Sequence, residues 1–420
     1  MFKKLISYLL IFILFLEPCF VYASDIVVDN NALPANQATL DSAPNGVGIV
    51  NIVDPNDKGL SHNKFSDFNV GTDGVVINNS LQIGVSQIGG AINGNPNFVS
   101  GNTAKIILNE VTSSRRSNLL GTTEIFGDSA DYILANPNGI MCNGCGFINT
   151  PRVSLATGTP NIVDGMLDSF NIFGGDVLFE GLGFNGVDGD LALDSFDIIT
   201  RTSRILSEIH VAGDLNFVTG VNKVKYDDLS YEKRSVDGTK PAIAIDSSLL
   251  GGMYAGRIRL IATEEGVGVK TDGRLSATAS DLQITADGRL EYRDALAEGN
   301  INIQSNNDSV IQNENSYAGG DLNIEAANNL EISGNLSAAS GDINYVAGNN
   351  IEIDDVLVQS GLDFDSVNNS FSSNDSGNID LVAGNDINNR GLVKSGNDLN
   401  INANIVTVSY THLRAHETRP

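Results

Sequence analysis

A short pattern that recurs about every 20 residues constrains the fold of this chain more than any other feature of its sequence. The pattern is a small residue, a polar residue, and two apolar residues separated by one position. Its copies begin at residues 280, 299, 320, 341, 377 and 397, and four of the five spacings between them lie between 19 and 21 residues. This period is typical of a β-solenoid, in which each repeat forms one coil stacked on its neighbours.

Each coil is predicted to contain three short strands with alternating inward residues. In the repeat that begins at residue 320, we expect the following side chains to point inward: Leu322 and Ile324, then Leu330 and Ile332, then Leu336. At about 4.8 Å per coil, the roughly 380 residues after the N-terminal segment would form a rod about 90 Å long.

Glycine and polar residues separate the predicted strands, at 328–329 (NN), 334–335 (GN) and 341–342 (GD). These residue types accept left-handed backbone angles at corners, and asparagines in register can stack into amide ladders. The longer spacing from 341 to 377 predicts a mobile surface loop at about 361–376. Less even copies at 189, 213 and 256 indicate the same solenoid with surface insertions, and no segment after the N-terminus has a helical period.

Composition supports many short strands and excludes some partners. The chain has 44 Gly, no Trp and 41% hydrophobic residues, which suits turns joined by strands rather than disorder. Acidic residues outnumber basic ones by 51 to 25, for a formal charge of −26. A phosphate backbone or an anionic membrane surface would repel such a chain, so we expect no nucleic-acid partner.

The N-terminal residues 1–23 are predicted to be a signal peptide. Lys3 and Lys4 form a basic region, an apolar run follows from residue 5 to residue 16, and Ala23 is a small residue at the expected cleavage position. A retained anchor is the alternative, but twelve helical residues cover only about 18 Å of a roughly 30 Å hydrocarbon core. Cys19 makes a poor lipidation site, because Glu17 and Pro18 precede it.

Cleavage would leave two cysteines, Cys142 and Cys145, in the run MCNGCG. A zinc site would need further ligands, and His62 and His210 are distant in sequence. A redox role would need a helix N-terminus, whereas the flanks here are typical of turns and strands. A local disulfide in an exported chain is favoured, and so small a ring stabilises the fold by only about 2 kcal/mol.

The segment 24–277 carries motifs that resemble a known family. In order they are residues 59–65 (GLSHNKF), 68–70 (FNV), 78–80 (NNS), 95–97 (NPN), 109–114 (NEVTSS), 135–140 (ANPNGI), 142–150 (CNGCGFINT), 218–222 (VTGVN) and 250–260 (LGGMYAGRIRL). They resemble the N-terminal secretion domain of two-partner-secretion exoproteins, the filamentous-haemagglutinin group, including its contact-dependent growth-inhibition toxins. Phe98 departs from the family, whose first motif usually continues with Leu, but an apolar side chain is kept.

The resemblance implies an all-β fold, a right-handed parallel β-helix with an N-terminal cap, in agreement with the repeats. It also implies Sec export in a Gram-negative bacterium and recognition by an outer-membrane transporter, a barrel with periplasmic polypeptide-binding domains. The chain would then emerge at the cell surface or in the medium. Residues 278–407 would begin the β-helical filament that follows the secretion domain.

Two predicted tight turns are the candidate secretion motifs. Proline fixes φ in both, and the second contains a glycine that is free to take a positive φ. One interpretation is that they are only corners of the β-helix; the other is that export also needs them, to nucleate the first coils or to contact the transporter. Their residues are Asn95, Pro96 and Asn97, and Asn136, Pro137, Asn138, Gly139 and Ile140.

A polysaccharide-degrading β-helix enzyme, a lyase or hydrolase, is the alternative function. It would need carboxylates or basic residues gathered across adjacent coils. The repeated acids lie instead at predicted corners, and His62 is interpreted as a hydrogen-bonded turn residue, so we expect no catalytic residue and no cofactor. Four aspartates hint at calcium but lack the spacing of an EF-hand loop, so no metal site is predicted. The corner acids are Asp281, Asp321, Asp342 and Asp398, and the four aspartates are Asp188, Asp190, Asp194 and Asp197.

Residues 408–420 do not continue the repeat and resemble translated sequencing-adapter read-through, so we expect that the natural chain continued differently beyond residue 407. The sequence thus predicts a secreted, non-enzymatic, monomeric β-helical exoprotein fragment. Whether the whole protein is an adhesin, a haemolysin or a growth-inhibition toxin, and which host or neighbouring-cell receptor it binds, would depend on a missing C-terminal region.

Overall fold

The computed structural model describes residues 25–187, 189, 192–236, 238–365, 368 and 370–408. The predicted signal peptide lies outside these residues, as does the predicted tail except for Val408, which ends a strand of the β-helix. Within this part of the chain the only helix with complete bounds is a single 3₁₀ turn, Pro34–Asn36. None of the described helices is long and apolar enough to cross a membrane.

The described chain forms a parallel β-helix with three faces, each built from one strand per coil. Face 1 is a 14-stranded sheet, and only its first strand runs antiparallel to its neighbour. Its strands are Asp25–Val28, Leu60–Asn69, Ile106–Val111, Asp131–Ala135, Arg152–Ala156, Ser195–Thr200, Asp214–Thr219, Arg257–Ala262, Leu282–Ala286, Ile301–Ser305, Leu322–Ala326, Ile343–Ala347, Ile379–Ala383 and Leu399–Asn402.

Face 2 is a 12-stranded parallel sheet. Its strands are Ser117–Leu119, Ile140–Cys142, Asp176–Phe179, Thr202–Ile205, Ile243–Ser247, Gly268–Thr271, Leu290–Tyr292, Val310–Gln312, Leu330–Ser333, Ile351–Asp354, Asp386–Asn389 and Ile405–Val408.

Face 3 consists of a five-stranded and a nine-stranded sheet, which a bridge between Cys145 and Phe184 connects. The first sheet contains Thr39–Ser42, Gly48–Asn51, Val75–Asn79, Thr122–Gly127 and Gly146–Ile148. The second contains Phe184–Gly186, Ile209–Val211, Met253–Ala255, Leu275–Ala277, Ala295–Ala297, Asn315–Ala318, Leu336–Ala339, Leu357–Gln359 and Leu392–Lys394.

Three antiparallel elements lie outside the coils. A hairpin on face 3 joins Gly84–Ser86 to Gly90–Ile92. A four-stranded side sheet on face 1 contains Thr159–Val163, Met166–Ile172, Asn222–Lys225 and Tyr231–Lys233. A second hairpin joins Leu362–Asp365 to Ser370–Ser373, in the place of the predicted surface loop.

The hydrophobic core runs through the inside of the coils, because inward side chains stack on those of neighbouring coils. Leu322, Ile324, Leu330 and Ile332 are all at most 1% exposed, as the repeat pattern predicts. The prediction for Leu336 was wrong, since that side chain is only half-buried. Its neighbours in the strand, starting with Ser337, are buried instead.

A polar network inside the core explains that difference. The hydroxyl of Ser337 donates to Oε1 of Gln312 (3.0 Å) and also contacts the hydroxyl of Tyr345 (2.5 Å). Tyr292 and Ser316 donate to the same Gln312 oxygen, each at 2.9 Å. Because these polar atoms satisfy one another, a serine can occupy a position where the apolar alternation predicts leucine.

In the copies at Gly320 and Gly341, close approach rather than a left-handed backbone angle requires glycine, whereas Gly377 in a later copy has a φ of +82°. Asp321 Oδ1 accepts the backbone N–H of Asp342 in the next coil (2.9 Å), and a Cβ on Gly341 would lie 2.2 Å from that oxygen. Gly320 faces Asn300 Oδ1 in the same way, again at 2.2 Å. The predicted left-handed angle occurs at Gly334 (φ +117°), but Gly341 has no positive φ.

Amide ladders are present at the corners, as predicted, and also on face 1. Asn344 Nδ2 donates to Asn323 Oδ1 (2.8 Å), and Asn323 Nδ2 donates to Asn302 Oδ1 (3.0 Å). At a corner, Asn349 Nδ2 donates to Asn329 Oδ1 (2.9 Å). Each bond joins one coil to the next, so the ladders reinforce the register that the backbone sets.

The rod is shorter than the repeat period alone predicts. Excluding the antiparallel strand, face 1 contributes thirteen parallel strands, which at about 4.8 Å per coil give a rod of about 60 Å rather than about 90 Å. The difference arises because the cap, the two hairpins and the side sheet use residues that do not advance the helix.

We expect Gly341→Ala to destabilise the protein by about 2 kcal/mol, because the new methyl group displaces the Asp321 carboxylate from the backbone N–H that it accepts. The measurement is the urea-unfolding midpoint followed by circular dichroism. Gly174→Ala is the matched control, since a Cβ at Gly174 meets no atom within 4 Å and that residue has no positive φ. Equal midpoints for the two variants would contradict this explanation of the glycine.

Candidate functional site

The first candidate site is the turn at residues 136–139, which joins face 1 to face 2 between Asp131–Ala135 and Ile140–Cys142. The backbone N–H of Gly139 donates to the carbonyl oxygen of Asn136 (3.1 Å) and closes the turn. Gly139 has a φ of +109°, and a Cβ there would lie 2.8 Å from a guanidinium nitrogen of Arg116. The positive φ favours glycine at this position, and a Cβ there would also have to displace the Arg116 guanidinium.

The side chain of Asn136 connects this turn to the preceding coil. It is fully buried, and its Nδ2 donates to the carbonyl oxygen of Arg115 (2.9 Å) and to Oγ of Ser117 (3.0 Å). Its Oδ1 accepts the backbone N–H of Asn138 (3.0 Å). The exposed Asn138 in turn donates from Nδ2 to the carbonyl oxygen of Ser113 (2.7 Å).

The turn at residues 95–97 has the same bonding pattern at a different corner, between face 3 and the face 1 strand Ile106–Val111. Asn95 is 7% exposed, and its Nδ2 donates to the carbonyl oxygens of Asn78 (2.8 Å) and Ile52 (2.9 Å). Its Oδ1 accepts the backbone N–H of Asn97 (2.9 Å), and Asn97 Nδ2 donates to the carbonyl oxygen of Asn51 (2.8 Å). In both motifs, therefore, the first asparagine is an internal connector and the second reaches back along the chain.

The exposed parts of the two motifs are small. Pro96 and Asn138 are exposed, Pro137 is half-buried, and Ile140 is fully buried in the core. Phe98 is half-buried and packs against the main core, so the aromatic ring fills a position that an aliphatic side chain could also fill. A partner that meets the folded domain would contact the prolines and Asn138 rather than Asn95 or Asn136.

Two further motifs meet on the outside of face 1. His62 Nε2 lies 2.7 Å from Oε2 of Glu110, and Lys64 Nζ lies 3.2 Å from the same oxygen. Burial by itself raises the pKa of Glu110, but the hydrogen bond to His62 and the charge of Lys64 together lower it below its usual value. His62 was predicted in a turn; it lies instead in the strand Leu60–Asn69, where neighbouring parallel strands bring the two motifs together.

A cap covers the first coil, which would otherwise expose an apolar end. The strands Asp25–Val28 and Thr39–Ser42 pair antiparallel with the first strands of faces 1 and 3. Asp29 follows the first cap strand and accepts a hydrogen bond from the hydroxyl of Thr112 (2.7 Å). Thr39 in the second cap strand contacts Asn97, so the cap and the turn at residues 95–97 are in direct contact.

The two cysteines form a disulfide between Cys142 at the end of a face 2 strand and Cys145 before the next face 3 strand, with Cα atoms 5.3 Å apart. Both are buried. The bridge closes one corner and adds no contact between distant coils.

Several of the acidic residues considered for catalysis or calcium bind groups of the protein itself. Asp281 Oδ1 accepts the backbone N–H of Asn300 (2.7 Å), and Asp342 Oδ1 accepts that of Asn378 (2.7 Å), as corner residues of the ladder. Asp197 is fully buried and paired with Arg152 Nε (2.6 Å). Asp188 and Asp190 lie outside the described residues, and the described ones contain no group of three or more potential metal ligands.

Sequence reasoning missed the residues that receive the asparagine side chains. Ser117 and the carbonyl of Arg115 belong to the strand and turn that precede the second motif by about one coil. Arg116 is paired with Asp176 and also lies beside Gly139. The separation of about 20 residues between Asn136 and these partners equals the repeat period, which is the one signal that could have located them.

With this capped parallel β-helix, the chain is similar to the secretion domains of bacterial exoproteins. The TPS secretion domain model matches residues 25–292. The solved structure of the filamentous haemagglutinin secretion domain is 30% identical, with a TM-score of 0.63, and the match covers 77% of this chain and 99% of that one.

Two curated relatives are similar to a large part of this chain. The 16S rRNA endonuclease CdiA of Enterobacter cloacae is 44% identical over 274 residues, which is 65% of this chain and 8% of the relative. The tRNA nuclease CdiA of Escherichia coli is 40% identical over 309 residues, 73% of this chain and 9% of the relative. This chain therefore spans about a tenth of the length of these relatives.

The chain belongs to the TPS secretion domain family. Such domains direct exoproteins of Gram-negative bacteria to the cell surface or the medium by way of an outer-membrane transporter partner. The family assignment establishes a secretion-targeting role for the matched region, and nothing in the matches favours the polysaccharide-degrading alternative.

We expect Asn136→Ala to destabilise the folded protein by about 2–4 kcal/mol, because it leaves the Arg115 carbonyl and the Ser117 hydroxyl buried without their donor. The exposed Asn138→Ala should cost about 1 kcal/mol or less. Urea unfolding of the purified variants measures both. Equal losses of stability would contradict the assignment of the first asparagine as the internal connector.

Proposed function

We propose that residues 24–277 form the secretion-targeting domain of a large surface-exposed or secreted exoprotein and that residues 278–407 begin its filament. The proposal rests on the family match and on the continuity of the β-helix. Faces 1, 2 and 3 pass through residue 277 without a break, so the filament coils stack directly on the secretion domain. Later coils that fold on the end of the secretion domain avoid the free-energy cost of nucleating a separate β-helix.

The candidate turns serve export by fixing the first coils rather than by presenting a recognition surface. The buried amides of Asn95 and Asn136 support this interpretation, because a folded domain does not offer them to a partner. Each amide joins its turn to the preceding coil, so closing one turn also sets the register of the next strand. Once the first coils have folded outside the cell, they prevent the chain from sliding back through the transporter.

The transporter partner is expected to be the usual one of the family, an outer-membrane barrel with periplasmic polypeptide-binding domains. We assign delivery to the periplasm to the Sec machinery, on the basis of the predicted signal peptide. The acidic chain favours solubility in the periplasm and no contact with nucleic acid, since its net charge opposes both association and phosphate binding. We regard the domain as a monomer that works without a cofactor.

The whole protein is proposed to be a growth-inhibition toxin of the haemagglutinin type, with the present chain as its non-enzymatic N-terminal part. The names of the two relatives support this, because both are called nucleases. An effector and a receptor-binding region would then lie in parts of the protein that this chain does not include. An adhesin or haemolysin remains the alternative within the same secretion pathway.

When the chain is co-expressed with its transporter, we expect Asn95→Ala and Asn136→Ala each to reduce release into the medium several-fold, because they loosen the first coils. Cys142→Ser combined with Cys145→Ser should have a milder effect, since the small disulfide ring contributes only about 2 kcal/mol. The measurement is the ratio of released to cell-associated protein by immunoblot.

Leu322→Ala is the control for general instability, because it removes a fully buried side chain from the later filament coils. It should destabilise by about 2–5 kcal/mol but leave release close to that of the wild type. If release fell equally for Leu322→Ala and Asn136→Ala, export would depend on overall stability. Normal release of both asparagine variants would reduce the turns to ordinary corners.

A further inference from the structure

The interior of the first coils contains polar groups that the fold leaves without partners. Among the described residues, five buried side-chain atoms have no hydrogen-bond partner, and three of them belong to Asn109 and Tyr132. The other two are Oγ1 of Thr271 and Oδ1 of Asp386. Asn109 and Tyr132 lie on adjacent face 1 strands and are completely buried.

Asn109 occupies a position that is apolar in every later coil. Register along face 1 places thirteen side chains in one inward column. The first two are Asn63 and Asn109, and the other eleven are Leu, Ile, Phe or Tyr. In chain order those eleven are Leu134, Leu155, Ile198, Phe217, Leu260, Ile284, Ile303, Ile324, Tyr345, Leu381 and Ile401.

The two asparagines of this column differ in how well they are bonded. Asn63 Oδ1 accepts the backbone N–H of Val53 (2.9 Å), so it supports the entry to the first coil. Neither the donor nor the acceptor of the Asn109 amide has a partner. A leucine at this position would match the column and leave no polar atom unsatisfied.

Tyr132 likewise places a polar group, its hydroxyl, in an apolar part of the core. Its ring packs against Phe147, with centroids 5.2 Å apart, inside the aromatic part of the core. Burial raises the pKa of the Tyr132 phenol, and although Asn109 and Thr123 approach it and favour its ionised form, neither meets the geometry of a hydrogen bond. Phenylalanine would fill the same space without a buried hydroxyl.

Buried polar groups without partners lower the stability of the folded state, because they lose their bonds to water and gain none. Here the loss is concentrated in the coils on which all later coils stack. A chain that crosses the outer membrane through a barrel must remain unfolded until it has crossed. Weak first coils delay folding in the periplasm, whereas the later coils can add stability once the chain is outside.

We propose that Asn109 and Tyr132 act as a folding brake, keeping the first coils too weak to close before export. The proposal rests on the secretion role proposed above and assigns these two residues a function separate from that of the asparagine turns. The asparagine turns fix the register of the first coils, whereas Asn109 and Tyr132 lower the stability of the same coils. Replacing a brake residue therefore stabilises the protein and impairs its release.

The test compares Tyr132→Phe and Asn109→Leu with Thr271→Val in the full chain, co-expressed with the transporter. All three changes remove unpartnered buried polar atoms, but Thr271 lies several coils later, in Gly268–Thr271. Each variant should raise the thermal midpoint of the purified protein by about 2 °C or more. Tyr132→Phe and Asn109→Leu should also lower the released fraction at least about threefold, with protease-resistant protein in the periplasm, whereas Thr271→Val should be released like the wild type.

Three results would overturn the brake. An unchanged or lower midpoint for Tyr132→Phe would mean that its hydroxyl is satisfied, for instance by a trapped water. Normal release of a stabilised Tyr132→Phe variant would show that stabilising the first coils does not impair export. Equal loss of release for Thr271→Val would remove the special role of the first coils. Failure of the wild-type chain to be released with its transporter would instead contradict the proposed secretion function, while the midpoints would still test whether the buried groups destabilise.

Discussion

Every strand of the β-helix depends on the coil before it for its backbone hydrogen bonds. The strands of faces 1, 2 and 3 are parallel and in register, so the N–H and C=O groups of one coil are paired mainly by the coils on either side. Leaving those groups unpaired in the interior would be costly. Stacking therefore determines where side chains can help, which is at the corners and along columns that repeat once per coil.

The glycines, aspartates and asparagines of the repeat follow from this constraint. A corner interrupts the strand pairing, and the side chain of one coil then accepts the backbone N–H of the next, as Asp321 does for Asp342. Asn95 and Asn136 use the same kind of side-chain-to-backbone bond inside the coils, and both the nitrogen and the oxygen of each amide are bonded. The acids that resemble scattered catalytic groups in the sequence are thus part of the coil-to-coil connection.

The sequence predicts this fold well where the repeat is regular. It predicts the fold poorly where the chain extends out of the coils or where polar residues enter the core. The inward positions at Leu322 and Ile332 follow directly from the alternation of apolar residues. Leu336 does not, because a polar network built from four other coil positions makes the neighbouring Ser337 an acceptable inward residue. The partners of Asn136 also escaped prediction, since they depend on the register between coils, and no local pattern encodes that register. The hairpin Leu362–Asp365 to Ser370–Ser373 was expected as a loop because its Ser-rich and Asn-rich composition hides the pairing.

The side sheet on face 1 gives the secretion domain a mechanical property that the later coils lack. Its strands Met166–Ile172 and Asn222–Lys225 extend outward from different coils and pair with each other. Phe170 and Val224 then pack with Ile133 and Val218 from the outer surface of the coils beneath. A force that unwinds the rod from its C-terminal end can peel off the later coils one at a time, but at the side sheet it meets several coils that the sheet holds together. The domain can therefore resist pulling on the coils that follow it.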